Sequence, residues 1–155
     1  MQLRILVGTV TDTAYRAAQA MALQLADRLD AVEVLRMDGL DIGVFDDAAD
    51  TLYLICTSTY GAGDLPDNAH GLYESLDTRP RYLGAVRYGL FALGDRAGHP
   101  DTFCQAGRLF DERLQDLGAR RIADLQVHDS ADDEAPETAA AAWAQRWLDQ
   151  ALPPA

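Results

Sequence analysis

Short apolar runs alternate with helical patterns along the whole chain. Leu3 to Val7, Val32 to Arg36, Leu52 to Cys56, Val86 to Leu93 and Arg121 to Val127 read as strands. Between the first two, Ala14, Ala18, Met21, Ala22, Leu25 and Leu29 recur at i+3 or i+4, which predicts a helix with one apolar face. A shorter helix is expected from about Asn68 to Ser75, ending before a turn at Arg79-Pro80. The next helix carries Phe103, Ala106, Phe110, Leu114 and Leu117, with Gly118 placed to end it in a left-handed conformation. An aspartate-rich loop spans 38–50, and a polar stretch, 129–137, precedes a last helix that buries Trp143 and Trp147. Pro153-Pro154-Ala155 reads as frayed. Strands alternating with helices predict an α/β fold, a five-stranded parallel sheet covered by helices on both faces in three layers. One domain over 1–155 is expected, with no repeat or linker. Right-handed crossovers leave two dominant strand orders. The order 2-1-3-4-5 places its switch point between strands one and three.

Those two strands feed the most informative loops. Gly8-Thr9-Val10-Thr11-Asp12-Thr13-Ala14 follows strand one, and the run Ser58 to Asn68 follows strand three. Where a buried strand gives way to a helix, backbone N–H groups and small side chains converge on an anion and a flat ring. The pair points to a phosphate-bearing aromatic cofactor. The hydroxyls of Thr9, Thr11 and Thr13 and the N–H groups from Val10 to Ala14 are the candidate phosphate donors, aided by the helix N-terminus. The competing reading makes these threonines turn and N-cap residues only. Asp12 is a misfit, an anion where an anion should bind. Its tolerance of left-handed backbone and its capacity to cap a helix offer a structural reason for it. Tyr60, at the second loop's tip, is the candidate for stacking on a ring, with Ser58, Thr59, Gly61 and Ala62 along the ring edge. Gly61 and Gly63 allow close backbone approach to the ring edge.

Charge narrows the partners. The net charge is −12, from 25 carboxylates against 13 cations, so a nucleic-acid backbone would be repelled. A basic protein partner suits this surface, although acidity also serves solubility alone. Every cation is arginine, and the absence of lysine excludes a P-loop lysine or a Schiff base. No apolar run spans a bilayer and no leader-like layout opens the chain, so a cytoplasmic protein without membrane attachment is expected. Cys56 and Cys104 read as buried thiols, and His70, His99 and His128 are too scattered for a metal site.

Three segments in order carry a family resemblance. Gly8 to Ala14 resembles the phosphate loop of flavodoxins and of the FMN domains of diflavin reductases. Ser58 to Ala69 is similar to their first ring loop, and Ala92-Leu93-Gly94-Asp95 with Asp101-Thr102-Phe103-Cys104 resembles their second. MioC-type short-chain flavodoxins are the nearest pattern, and strand five leaves no room for the inserted loop of longer relatives. Flavodoxin is itself the standard example of the 2-1-3-4-5 order with a flavin at the switch point. The resemblance implies a flavodoxin-like fold and a monomeric, noncovalent one-FMN electron carrier rather than an enzyme. It further implies a donor of the flavodoxin/ferredoxin reductase type and an acceptor enzyme, an iron–sulfur protein among the options.

Two departures qualify the pattern. Relatives carry glycine where Asp12 stands, which predicts weaker FMN binding. They also place a second tyrosine in the third loop, where this chain has Arg96-Ala97-Gly98-His99-Pro100. His99 is the replacement for the outer ring face, or an exposed loop residue. Leu93, Gly94, Asp95, Phe103 and Cys104 complete the implied cofactor set, with Phe103 and Cys104 also readable as core. Asp64, Asp67, Asp95 and Asp101 would crowd the flavin rim and lower its potential. A receiver domain is excluded, because Gly8-Thr9, Cys56-Thr57 and the missing lysine lack its acidic pair, phosphoacceptor and cation. A small NAD(P)H-dependent flavin or quinone reductase and a flavodoxin-like binding module with weakened or lost FMN remain as alternatives.

Overall fold

A strand covered on both faces must be apolar throughout, and β3 (Thr51–Thr57) is buried at every position. β1 (Gln2–Gly8) runs beside it, and both pair in parallel in the computed structural model, which describes residues 1–152. β2 (Ala31–Arg36) is half-buried, as an edge strand is, and pairs with the other side of β1. β4 (Arg87–Gly94) pairs with β3, and the sheet order is β2-β1-β3-β4-β5, as the loop pattern predicted. The run Pro153-Pro154-Ala155 lies outside the described residues.

The fifth lane departs in one detail. In place of one strand over 121–127 there are two pieces, β5 (Arg120–Arg121) and β6 (Gln126–Asp129), both pairing with β4. The chain breaks at Ala123, whose φ is +65°. Left-handed backbone at a non-glycine residue is strained by roughly 1–2 kcal/mol. Here the Ile122 carbonyl accepts the indole N–H of Trp147 at 3.1 Å, and the Arg121 Nε donates to the Ala123 carbonyl at 3.1 Å. A buried indole needs such a partner, so the kink serves the core.

Helices α1 (Thr13–Leu25) and α4 (Pro136–Ala151) cover one face of the sheet, over Leu3, Ile5, Leu54 and Phe91. Helices α2 (His70–Thr78) and α3 (Gln105–Asp116) belong to the opposite layer, over Leu6, Ile55, Leu90 and Ala92. The helix expected to reach Leu29 stops at Leu25 and passes into a 3-10 turn, Ala26–Arg28. Gly118 ends α3 with φ +97°, the left-handed turn expected of it. At mid-strand, a Cβ on Gly89 would lie 2.3 Å from the Trp147 Nε1, so only glycine admits that indole.

Register sets up the upper end of the sheet. Val7 lies opposite Arg36, Gly8 opposite Thr57, and Leu93 opposite His128. The loops leaving β1, β3, β4 and β6 therefore meet at the carboxyl ends of the strands, where open α/β sheets place their ligands.

Candidate functional site

Polar cross-braces hold the first two loops together. The Asn68 Oδ1 accepts from the Thr9 N–H at 2.9 Å, and its Nδ2 donates to the Val7 carbonyl at 3.1 Å and to Asp38 at 3.1 Å. Ser58 N–H donates to the Gly8 carbonyl at 2.9 Å. At Gly8 a Cβ would sit 2.6 Å from the Thr57 Oγ1, so the approach of the two strands requires glycine there. Asn68 is absent from the site expected on sequence grounds. It lies among turn formers with no periodic signal, and only the parallel register brings it beside strand one.

Seven residues expected from the sequence line one cavity of about 330 Å³: Thr11, Thr13, Ser58, Thr59, Leu93, Gly94 and Asp95. His128, Asp132 and Glu134 join them, unexpectedly, from the end of β6 and the segment after it. His128 is buried, with its ring 6.2 Å from that of Phe91 and its Nδ1 3.7 Å from the Asp132 carboxylate. Hydroxyls border this cavity from the first two loops, Leu93 and Gly94 supply an apolar part, and three carboxylates form the rim.

The remaining expected residues do not line that cavity. Thr9 is buried and Val10 is half-exposed beside it. Ala14, on the first turn of α1, is in the core. Tyr60 is 51% exposed at the tip of a tight turn whose N–H donates to the Asp64 carbonyl at 2.8 Å, with the reciprocal bond also 2.8 Å. Gly61 and Gly63 hold φ of +52° and +121° in that turn. Tyr60, Gly61 and Ala62 border a neighbouring groove with Asp64, Gln105 and Leu109. His99 is exposed and lines neither space. Phe103 and Cys104 are both core residues, and the Arg96 guanidinium lies 4.1 Å from the Phe103 ring centre. Burial pushes the Cys104 thiol up to about 11. Among the described residues no three histidine, cysteine or carboxylate side chains gather as a metal site would need.

Asp12 overturns one expectation. It precedes α1 with φ +66°, yet its carboxylate caps no backbone N–H of the helix. The side chain turns instead to Arg36, whose Nη1 donates to Oδ1 at 2.7 Å. That hydrogen bond holds the Asp12 carboxyl below its ordinary range. The misfit anion in the first loop is thus already paired.

Comparison with known proteins agrees with this geometry. The Flavodoxin family model matches residues 5–143. Flavodoxin YqcA of Pectobacterium carotovorum subsp. carotovorum is 35% identical, with 96% of this chain and 95% of the relative covered. Protein MioC of Escherichia coli (strain K12) is 30% identical over 92% of this chain and 95% of its own. A cysteine-to-serine mutant of a flavodoxin from Pseudomonas aeruginosa superposes with a TM-score of 0.81 at 28% identity, covering 97% of this chain and 98% of that one.

Family membership implies a flavin, and the residues present fit a phosphate-bearing one. Phosphate oxygens are acceptors, and the buried Thr9 Oγ1 has no hydrogen-bond partner. The loop also ends in a helix N-terminus whose first N–H groups lack intrahelical partners. A 2-1-3-4-5 sheet and family similarity over nearly the whole length place this chain in the flavodoxin family.

Proposed function

We propose that this chain is a short-chain flavodoxin that holds one FMN noncovalently and carries electrons between protein partners. The observation that carries the reading is the convergence of Thr11, Thr13, Ser58, Thr59 and Leu93-Gly94-Asp95 on one cavity at the carboxyl ends of the strands. Hydroxyl and amide donors from Thr9 to Ala14 would hold the phosphate. Tyr60 and the edge from Ser58 to Ala62 would hold the ring on one side, with Leu93 to Asp95 on the other and His99 beyond. When bound, FMN supplies one-electron chemistry that no side chain here can perform.

The protein's own contribution is orientation and electrostatics. Asp95, Asp132 and Glu134 border the cavity. Negative charge there disfavours further negative charge on a bound ring, which lowers its potential. The same rim, in a chain of net charge −12, attracts basic docking faces. A donor of the flavodoxin/ferredoxin reductase type and an acceptor enzyme, an iron–sulfur protein in one version, complete the proposed chain of transfer. A cytoplasmic location fits two buried free thiols, and no helix among the described residues is long and apolar enough to cross a membrane.

The test is the visible spectrum of the purified protein before and after adding FMN and desalting. Retained flavin bands, reducible in steps, support the carrier. A protein that cannot retain FMN sinks it and leaves a binding module without cofactor. Oxidation of NADPH by the FMN-loaded protein alone would instead make it a reductase.

A further inference from the structure

Arg36 has no part in the reading above, yet it is fixed on three sides. It ends β2 opposite Val7, so its side chain rises beside the loop that follows β1. Its Nη1 reaches the Asp12 Oδ1 at 2.7 Å. Its guanidinium carbon lies 3.9 Å from the centre of the Tyr15 ring, on the first turn of α1. A cation–π contact and a charge-assisted hydrogen bond together hold a guanidinium more firmly than either alone. What it holds is the residue at the loop's strained point, since Asp12 is left-handed with φ +66°. Unpaired, that carboxylate would stand as a like charge in the loop assigned to phosphate.

Building on the FMN reading, we propose that Arg36 is a positioning residue for phosphate. By pairing with Asp12 it cancels the loop's one anion and pins the left-handed turn, so that the hydroxyls and N–H groups of the loop meet a dianion without a competing charge. Tyr15 is the platform that keeps the guanidinium in place. Asp38 and Arg16 are the other charged groups acting on this pair. The weak FMN binding expected from Asp12 alone is thereby replaced by a conditional statement: Asp12 repels phosphate when Arg36 is absent, and when Arg36 is present it only takes up that charge.

The experiment titrates the apoprotein with FMN and, separately, with riboflavin, which has the same ring and no phosphate. Flavin fluorescence quenching reads both at low ionic strength, and each variant is first checked for the wild-type melting transition. Arg36→Gln should weaken FMN about five- to tenfold while leaving riboflavin unchanged. Adding Asp12→Asn, which keeps a residue tolerant of positive φ, should return FMN binding to about the wild-type value. Arg36→Lys should fall between, because it keeps the charge and loses the guanidinium's forked donors. Equal losses for both flavins, or no loss at all, would overturn the proposal. So would a double variant as weak as Arg36→Gln, since Arg36 would then touch the phosphate itself. Should Arg36→Gln fail to fold, Asp12→Asn alone decides. It should tighten FMN several-fold and leave riboflavin unchanged, because Arg36 then faces the phosphate unpaired; no FMN-specific gain refutes the idea. Wild-type protein that binds neither flavin overturns the FMN reading and this proposal with it. Wild-type protein that binds FMN, with Arg36→Gln unaltered, overturns this proposal alone.

Discussion

The loop after β1 and the loops on the β4–β6 side solve different problems. The first is compact, ends in a helix, and is braced by Asn68 from one side and Arg36 from another. Its donors are hydroxyls and amides, and its one anion is paired. The other side is assembled from distant segments, 93–104 and 128–136, and its cavity wall carries Asp95, Asp132 and Glu134. His99 is exposed there and supplies no lid over the cavity. A phosphate needs a fixed cradle, whose donors local sequence supplies and whose braces, Asn68 and Arg36, come from farther along the chain. A ring whose electronics are to be tuned needs a wall of chosen charge, which only tertiary structure can build.

The two thiols give the sharpest way to break that comparison, because one lies under each region. The Cys56 Sγ donates to the Ala14 carbonyl at 3.4 Å beneath the braced loop, and the Cys104 Sγ donates to the Ala92 carbonyl at 3.4 Å beside the other. Burial raises both thiols, Cys56 further than Cys104. With Cys104 at about 11, its thiolate at pH 8 is about two hundredfold scarcer than that of a free thiol. Native protein should therefore react very slowly with a thiol reagent at pH 8, and both sites should react at once in denaturant. Cys104 should label before Cys56, since Cys104 precedes α3 in a strained left-handed conformation, φ +57°, while Cys56 lies inside a central strand. Peptide mapping that found Cys56 labelled first would reverse the assignment of the firmer region.

The next effect is on the phosphate side. Replacing Thr11 and Thr13 by alanine should weaken FMN about a hundredfold, from two lost hydrogen bonds to a charged group. Riboflavin should bind as before. Equal losses for the two flavins would move the phosphate elsewhere. A smaller effect is expected across the ring: Tyr60→Ala should weaken both flavins about tenfold, whereas His99→Ala should change either less than about twofold. A His99 loss as large as that of Tyr60 would show that the exposed histidine closes over the ring when flavin binds.

What the sequence revealed follows the same division. Alternating runs were enough for the sheet and the helical layers, because each element's burial shows in its own period, while the order came from the two loops that strands one and three feed. The threonines and Ser58-Thr59 were readable because a strand-to-helix loop and its donors are contiguous. Arg36 and Asn68 were not, since each acts across a gap of 24 or 59 residues, closed only by parallel register. His128 and Asp132 stayed hidden because only the parallel pairing of β6 with β4, which sets Leu93 opposite His128, brings them to the cavity. The break at Ala123 answers the need of Trp147 for an acceptor, a tertiary demand with no local signature. Asp12 was seen as a misfit, but its partner was out of reach of any local pattern.

The smallest effect tests the charged wall. Asp132→Asn with Glu134→Gln should raise the potential of bound FMN by about 30–60 mV, since a tenfold change in a one-electron equilibrium corresponds to about 59 mV and each rim charge is partly screened by solvent. Raising the ionic strength should shrink the difference between variant and wild type, because both carboxylates are exposed. FMN affinity itself should move little, as neither carboxylate belongs to the loop assigned to phosphate. The potential therefore reads the wall and the dissociation constant reads the cradle. A variant that changed affinity at constant potential would mean that Asp132 or Glu134 holds the ligand in place, and the division between the two regions would fail.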